Sequence, residues 1–261
     1  MLKRQFTYIT ASFGIGPIIA PFIGGYLQHA FGWRSNFMFI LIFLIVVLCL
    51  FFIVIPETLN TKHPLSFAKI QQSYGHVFTH AFFIASVFLA SLCMGFSPTF
   101  NVIGPFLIQE TLNHSAVYYG YIALILGACW FAGNMTNRCM EAIAWKSKLH
   151  LVLPLMILNG VIFLLLSFSP LHILSLMIPI FIMIYLAGLV FPIMVSESLA
   201  LFKQHAASAN GILFALCWIS FSLFTFIGSQ VHSKNAFPIA CIYLCMAIVG
   251  YLWFLVFFRR H

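Results

Sequence analysis

Long apolar runs separated by short polar connections dominate the pattern of this 261-residue chain. A helix that crosses the hydrocarbon core of a bilayer needs about 20 predominantly apolar residues. Eight runs reach that length, and they predict transmembrane helices at 7–28, 36–55, 80–107, 117–137, 149–168, 171–195, 208–229 and 236–258. The pattern therefore indicates an all-α integral membrane protein.

Composition supports the bilayer as the solvent of this chain. Hydrophobic residues make up 63% of it, charged residues make up only 6%, and the mean hydropathy is +1.08. Ordinary globular domains contain roughly 45–50% apolar and about 25% charged residues. A soluble protein with so few charges could not cover its surface with hydrated groups, so the composition excludes soluble classes of protein.

The basic residues predict the orientation of the helices. The chain has twelve Lys and Arg residues against four acidic ones, a formal charge of +8. Ten of the twelve fall on the side that holds both chain ends, whereas Arg34 and Lys234 fall on the other side. Because basic loops stay in the cytoplasm, we predict both termini there. The charges are scattered between apolar runs rather than gathered on one face, which argues against a nucleic-acid partner.

One connection is longer than the others, at residues 56–79, and it contains charged and polar residues. We expect it to be the seam between two structural halves, with a short interfacial helix at 67–74. The chain is therefore predicted to have three parts: two helices in residues 1–55, a cytoplasmic central loop in residues 56–79, and a six-helix bundle in residues 80–261.

The first predicted helix carries glycines and prolines in the run Gly16-Pro17-Ile18-Ile19-Ala20-Pro21-Phe22-Ile23-Gly24-Gly25. This run resembles the antiporter motif of the major facilitator superfamily, Gly-x-x-x-Gly-Pro-x-x-Gly-Gly, with Ala20 where the family usually has glycine. Small residues let two helices approach backbone to backbone, and a proline fixes a bend. The resemblance implies that the motif positions here are Gly16, Ala20, Pro21, Gly24 and Gly25.

Two further motifs follow in the order and spacing of that superfamily. Phe31-Gly32-Trp33-Arg34 resembles the link between the family's fifth and sixth helices, with Gly32, Trp33 and Arg34 as its core. Pro56-Glu57-Thr58-Leu59 falls where the family's sixth helix ends. Three motifs in register are much more specific than one, and they imply a major-facilitator-type helical bundle.

The remainder looks like the Bcr/CflA-type multidrug-resistance branch of drug:proton antiporters. Three segments carry this resemblance, namely Ser97-Pro98, Tyr118-Tyr119-Gly120-Tyr121 and the run from His205 to Gly211, in which His205 and Asn210 depart from the pattern. The resemblance covers the family's helices five to twelve. Helices one to four, the Asp-Arg loop after the second helix and the proton-coupling carboxylate have no counterpart. The expected protein is thus truncated from twelve helices to about eight, or split, with a separate chain supplying the missing four.

Polar and aromatic groups inside the predicted spans are the candidates for contact with a substrate. A buried amide in lipid must find a partner, either on another helix or on a ligand. Bonding between helices is the more common use for any single one. The candidates for a substrate cavity are Asn101, Trp130, Asn134, Tyr185, Asn210 and Trp218.

Acid–base and metal chemistry find little support in the sequence. The four glutamates, Glu57, Glu110, Glu141 and Glu197, map to span ends or loops, as do the ten histidines. Since no metal-binding motif and no positioned nucleophile or acid–base pair is recognisable, we predict no metal site and no cofactor. A polytopic membrane enzyme is a remote alternative.

Taken with the resemblance, these features imply a multi-pass transporter of the inner membrane. Its partners would be the lipid bilayer, protons and a small amphipathic drug or metabolite, exported by alternating access. Two alternatives stay open at this point: the chain is an inactive remnant, or it is one part of a split transporter.

Overall fold

The structure is a computed structural model that describes residues 19–20, 22–56, 74–202, 206–231 and 235–258. These residues contain seven helices that are long and apolar enough to cross a bilayer. They are α1 (Arg34–Val54), α2 (Ala81–Pro105), α3 (Ala116–Cys139), α4 (Trp145–Leu166), α5 (Ile173–Ala200), α6 (Ala206–Ser229) and α7 (Phe237–Phe257). A π-helical turn, Phe106–Thr111, extends α2, and shorter helical stretches at 22–31 and 74–78 precede α1 and α2. The predicted all-α, multi-pass membrane fold is confirmed.

Seven of the eight predicted spans correspond to these helices. Most of the first one, 7–28, and almost all of the predicted interfacial helix, 67–74, lie outside the described residues. The largest differences are that α4 begins at Trp145, before its predicted start, and α5 continues to Ala200, beyond its predicted end. Hydropathy detects only the apolar part of a span, whereas backbone hydrogen bonding carries a helix onward into polar residues at the interface.

Helices α2 and α5 form the centre of a six-helix bundle. They pack against each other. Helix α3 packs on α5, and helix α6 packs on α2. Helices α4 and α7 also pack against each other. Most residues in the central parts of α2 and α5 are buried. Because lipid competes for apolar contacts, such packing in a membrane depends on close van der Waals fit and on hydrogen bonds between helices.

Side-chain donors join the helices at several backbone carbonyls. The hydroxyl of Tyr243 on α7 donates to the carbonyl of Phe96 on α2 at 2.7 Å. Three turns away, the indole nitrogen of Trp253 donates to the carbonyl of Ala85 at 3.1 Å. These two bonds fix the register of α7 on α2, since the buried hydroxyl of Tyr243 and the half-buried indole of Trp253 each have a partner on the facing helix.

Helices α2, α4 and α7 share an aromatic cluster at one end of the bundle. The rings of Phe82, Trp145 and Phe258 meet edge to face, with centroids 5.2–6.1 Å apart.

Lys148 lies in the first turn of α4, is only 6% exposed, and donates to the side-chain oxygen of Asn137 at 2.8 Å. This end therefore holds the turn between α3 and α4 in place.

Helix α1 differs from the other six because every residue from Phe37 to Val54 is exposed. This stretch contains no Gly, Ala, Ser or Thr, the small residues that permit close approach of helices in a bilayer. Its composition suits contact with lipid all round. The helix is joined to the stretch 22–31 by a tight turn at Gly32 and Trp33.

Candidate functional site

The described part of the antiporter-like motif lies in the helical stretch before α1. Ala20, Gly24 and Gly25 are helical, whereas Gly16 and Pro21 fall outside the described residues. Gly24 faces the start of α1, where a Cβ atom built on it would lie 3.5 Å from the side-chain oxygen of Asn36. Gly24 therefore lies beside the start of α1 at a spacing where an added Cβ atom would make an ordinary van der Waals contact.

The predicted helix-link residues form the turn of the same hairpin. Gly32 has φ +80°, a left-handed conformation that favours glycine, and its N–H donates to the carbonyl of Gln28 at 3.0 Å. The hydroxyl of Ser35 donates to the Gly32 carbonyl at 2.7 Å. The guanidinium of Arg34 lies 4.7 Å from the centroid of the Trp33 ring. The link is thus a compact helix-ending turn stabilised by its own side chains.

Gly25 and Tyr26 connect this hairpin to the start of α3. A Cβ atom on Gly25 would lie 3.3 Å from the carbonyl oxygen of Ala116 and 3.8 Å from the Cα of Gly120. One residue further, the hydroxyls of Tyr26 and Tyr121 are 2.6 Å apart and hydrogen bonded. Two segments that resemble the family at separate places in the sequence therefore meet in space.

Helices α3 and α5 cross with their backbones in direct contact. A Cβ atom on Gly133 would overlap the carbonyl oxygen of Tyr185 and come within 3.0 Å of the backbone of Gly188. A Cβ atom on Gly188 would in turn lie 2.5 Å from the carbonyl oxygen of Trp130. Only glycine at both positions allows this approach, which is the close packing that small residues provide in membranes.

Three of the six predicted cavity residues lie at this crossing. The hydroxyl of Tyr185 donates to Thr136 Oγ1 on α3 at 2.9 Å. The amide of Asn134 donates to the carbonyl of Trp130 in its own helix at 2.9 Å, and the Trp130 ring lies 5.5 Å from the ring of Phe191. The amide of Asn134 and the hydroxyl of Tyr185 thus have protein partners, whereas the rings of Trp130 and Tyr185 offer apolar surface.

The other three predicted residues lie on exposed faces of α2 and α6. Asn101 is exposed on α2, where its amide reaches Ser97 Oγ at 3.5 Å. Asn210 is exposed on α6, and Trp218 on the same helix is exposed and contacts Phe221. The structure therefore groups Trp130, Asn134 and Tyr185 at one crossing and leaves the remaining three on open surfaces.

A shallow apolar depression adjoins the crossing near the middle of both helices. Its volume is about 390 Å³, and it is lined by Ala128, Cys129, Ala132, Phe181, Ile182 and Tyr185. None of these side chains carries a formal charge, and the Tyr185 hydroxyl is already bonded to Thr136. The depression is suited to an uncharged apolar or aromatic group.

Sequence reasoning missed the part played by Thr136. The residue stands one turn after Gly133, on the side of α3 that meets α5, so its spacing from that glycine is the signal that could have identified it. Single threonines in spans are too common to single out. Only the register of α3 against α5 shows that this hydroxyl is the partner of Tyr185.

The carboxylates and metal-ligating groups lie apart from this crossing. Glu110 is exposed in the π-helical turn after α2, Glu141 is exposed after α3, Glu197 is half-buried near the end of α5, and Glu57 falls outside the described residues. In the described ranges, no three His, Cys, Asp or Glu side chains form a group that could hold a metal ion. The side chains that line the depression at the crossing are uncharged.

Comparison with known proteins agrees with this architecture. The sequence model described as Major Facilitator Superfamily matches residues 2–225. The Bicyclomycin resistance protein homolog of Haemophilus influenzae is 24% identical over 162 residues, which cover 61% of this chain and 41% of that protein. Multidrug resistance protein D of Escherichia coli is 22% identical over 210 residues, covering 76% and 50% respectively.

A third relative, described as an uncharacterized transporter of Rickettsia felis, is 22% identical over 260 residues, which are 94% of this chain and 64% of that protein. The chain thus spans between 41% and 64% of the length of these relatives. The predicted relationship to the drug:proton antiporters is confirmed, and proteins of this family are transporters rather than enzymes. Since the family's sequence model covers most of a chain that folds into the expected helical bundle, the chain belongs to the major facilitator superfamily.

Proposed function

We propose that this chain is the helix five-to-twelve part of a proton-coupled exporter of small amphipathic drugs or metabolites. It acts in the inner membrane with both termini in the cytoplasm. The observation that carries the proposal is the shallow apolar depression at the α3–α5 crossing, whose lining includes the rings of Phe181 and Tyr185 and no formal charge. The names of two relatives, which refer to drug resistance, support the class of substrate.

The proposed mechanism is alternating access between two groups of helices. Residues 1–55 supply the last two helices of an amino-terminal group, 56–79 form the central loop, and 80–261 form the carboxy-terminal bundle. The backbone contact of Gly133 with Gly188 holds α3 and α5 close together within that bundle. The substrate's apolar part enters the depression beside Phe181 and Tyr185, and rocking of one group against the other exposes it to either side.

Open polar and aromatic positions complete the proposed cavity. Asn101 on α2 and Asn210 and Trp218 on α6 are exposed in the six-helix bundle. Amides and an indole at these positions give a substrate hydrogen-bond partners and a flat apolar surface. They would face the helices of the amino-terminal group across the cavity.

Export is tested by dye accumulation in a bacterial host that lacks its own efflux pumps. Cells expressing the chain should accumulate less of a lipophilic fluorescent dye than cells with an empty vector, and an uncoupler should abolish the difference. Equal accumulation in both strains, at verified membrane expression, would contradict export. A difference that persists with uncoupler would contradict proton coupling.

A split arrangement is a second candidate, and the exposure of α1 favours it. The residues from Phe37 to Val54 are all exposed in the described part of the chain, and the relatives are longer than this chain. A separate chain with four helices could cover part of this surface. Co-purification of such a chain from the native membrane would support the split version, whereas export by the 261-residue chain alone would exclude both that version and an inactive remnant.

Orientation is tested by reporter fusions. A reporter active only in the cytoplasm should work when fused after residue 261 and fail when inserted between α2 and α3. The reverse pattern would contradict the proposed placement of the termini.

A further inference from the structure

Two nitrogen-bearing side chains stand beside the aromatic cluster that α2, α4 and α7 share. Lys146 follows Trp145 in the first turn of α4, and its ammonium lies 5.5 Å from the centroid of the Trp145 ring. His150 is exposed, and its ring stands edge to face with that of Phe254 on α7, with centroids 4.8 Å apart. Because Lys146 and His150 are four residues apart, they lie on one face of α4. Trp145, Lys146 and His150 together form a surface that we call the basic patch.

The helices that meet at the basic patch bring no negative charge to it. Helices α2, α4 and α7 contain no Asp or Glu within their bounds. The nearest acidic residue along the chain is Glu141, an exposed residue of the turn before α4. The other cation of this turn of α4, Lys148, is buried and donates to Asn137 on α3, so it is not part of the patch. The charge of Lys146 is therefore available to an anion from outside the protein.

The basic patch lies at the boundary between the lipid headgroups and the hydrocarbon core. Trp residues at the ends of spans sit at headgroup level, and Trp145 is the first residue of α4. Further along α4 the exposed surface becomes apolar. Val161, which is eleven residues after His150 and therefore on the same side of the helix, is exposed, as is Leu252 on α7. A ligand that fits both regions joins an anionic group to apolar chains.

We propose that the basic patch binds the phosphate of an anionic phospholipid, whose acyl chains lie along the exposed apolar surfaces of α4 and α7. Lys146 pairs with the phosphate through a charge-assisted hydrogen bond, and His150 donates a ring N–H to it. A zwitterionic headgroup gains less, because no carboxylate of these helices pairs with its ammonium group. The site does not depend on export, so it stands or falls separately from the proposed function.

Binding of single lipids to the purified 261-residue chain in a nonionic detergent tests the site, with native mass spectrometry as the measurement. Phosphatidylglycerol should bind more tightly than phosphatidylethanolamine. Lys146→Gln should weaken the binding of phosphatidylglycerol about fivefold, the factor for about 1 kcal/mol per basic residue near a lipid surface. His150→Ala should weaken it in the same direction. Arg138→Gln is the matched control, because it removes one exposed positive charge from the last turn of α3, outside the patch.

Three results would overturn the site. Equal losses in Lys146→Gln and Arg138→Gln would show a general attraction to the basic end of the bundle rather than a local site. Equal affinity of the unchanged chain for the two lipids would contradict the preference for an anionic headgroup. Displacement of phosphatidylglycerol by soluble glycerol 3-phosphate would show that the patch binds a free phosphate ester instead of a lipid. Circular dichroism confirms that each variant is folded, and His150→Ala keeps the test open if Lys146→Gln does not fold.

Discussion

Gly133 of α3 and Gly188 of α5 face each other so closely that the two helices touch along their backbones. A Cβ atom on either residue would meet main-chain atoms of the opposite helix rather than a movable side chain. The atoms nearest to these added Cβ atoms are the carbonyl oxygens of Tyr185 and Trp130. Both residues are also among the predicted cavity residues. The same crossing therefore determines both the packing of α3 on α5 and the position of Tyr185, whose ring lines the depression.

Gly133→Ala tests this backbone contact. The new methyl group would overlap the Tyr185 carbonyl, so the helices must separate, and we expect a loss of about 1–3 kcal/mol in the free energy of unfolding. Unfolding in mixed detergent micelles measures it. Gly211→Ala is the control, because the nearest atom to its added Cβ is Tyr74 Oη at 3.9 Å. Equal losses in both variants would show that the crossing is not unusually tight.

The hydrogen bond from Tyr185 to Thr136 is expected to add modestly to the same crossing. Tyr185→Phe and Thr136→Val should each lower the free energy of unfolding by about 0.6 kcal/mol, with an upper bound of about 1.7 kcal/mol. Their double variant should lose no more than the larger single effect. Tyr251→Phe on α7 is a suitable control for loss of a tyrosine hydroxyl. If the two losses add, the bond between these side chains does not contribute.

Lys148 should stabilise the turn between α3 and α4 more than its neighbour Lys146 does. Its ammonium donates to both the backbone oxygen and the side-chain oxygen of Asn137, at 3.2 and 2.8 Å. Lys148→Met leaves these half-buried acceptors without this donor, and we expect a loss of about 1–3 kcal/mol in the free energy of unfolding. Lys146→Met removes only a contact with the Trp145 ring and should cost less. The prediction fails if Lys146→Met is the more destabilising change.

Filling the depression should block export without unfolding the chain. Ala132→Trp places an indole in the space beside Tyr185, and we expect dye export to fall by at least about tenfold, the equivalent of about 1.4 kcal/mol of binding free energy. Leu174→Trp is the control, because Leu174 is an exposed residue near the start of α5. Export is compared at equal amounts of protein in the membrane. Unchanged export in Ala132→Trp would show that the substrate does not bind in this depression.

The sequence by itself determined the solvent, the helices and the turn chemistry of this protein. Apolar runs of bilayer length predicted the seven described spans, because a chain in lipid must satisfy its backbone within each helix. A local pattern was informative as well. Gly32 was identified within the link motif, and its positive φ is a property of that short segment. The ends of α4 and α5 were less well predicted, since helices continue past the apolar stretch into polar residues at the interface.

Only the tertiary structure decided which residues meet. The amides and aromatic groups inside spans were recognisable one by one, but the rotation of each helix about its axis determined that Trp130, Asn134 and Tyr185 gather at one crossing while Asn101 stays on an open face. Hydropathy carries little information about that rotation, because helices that are apolar all round show no preferred face. Thr136 and Tyr121 acquired their partners in the same way, from the register of one helix against another.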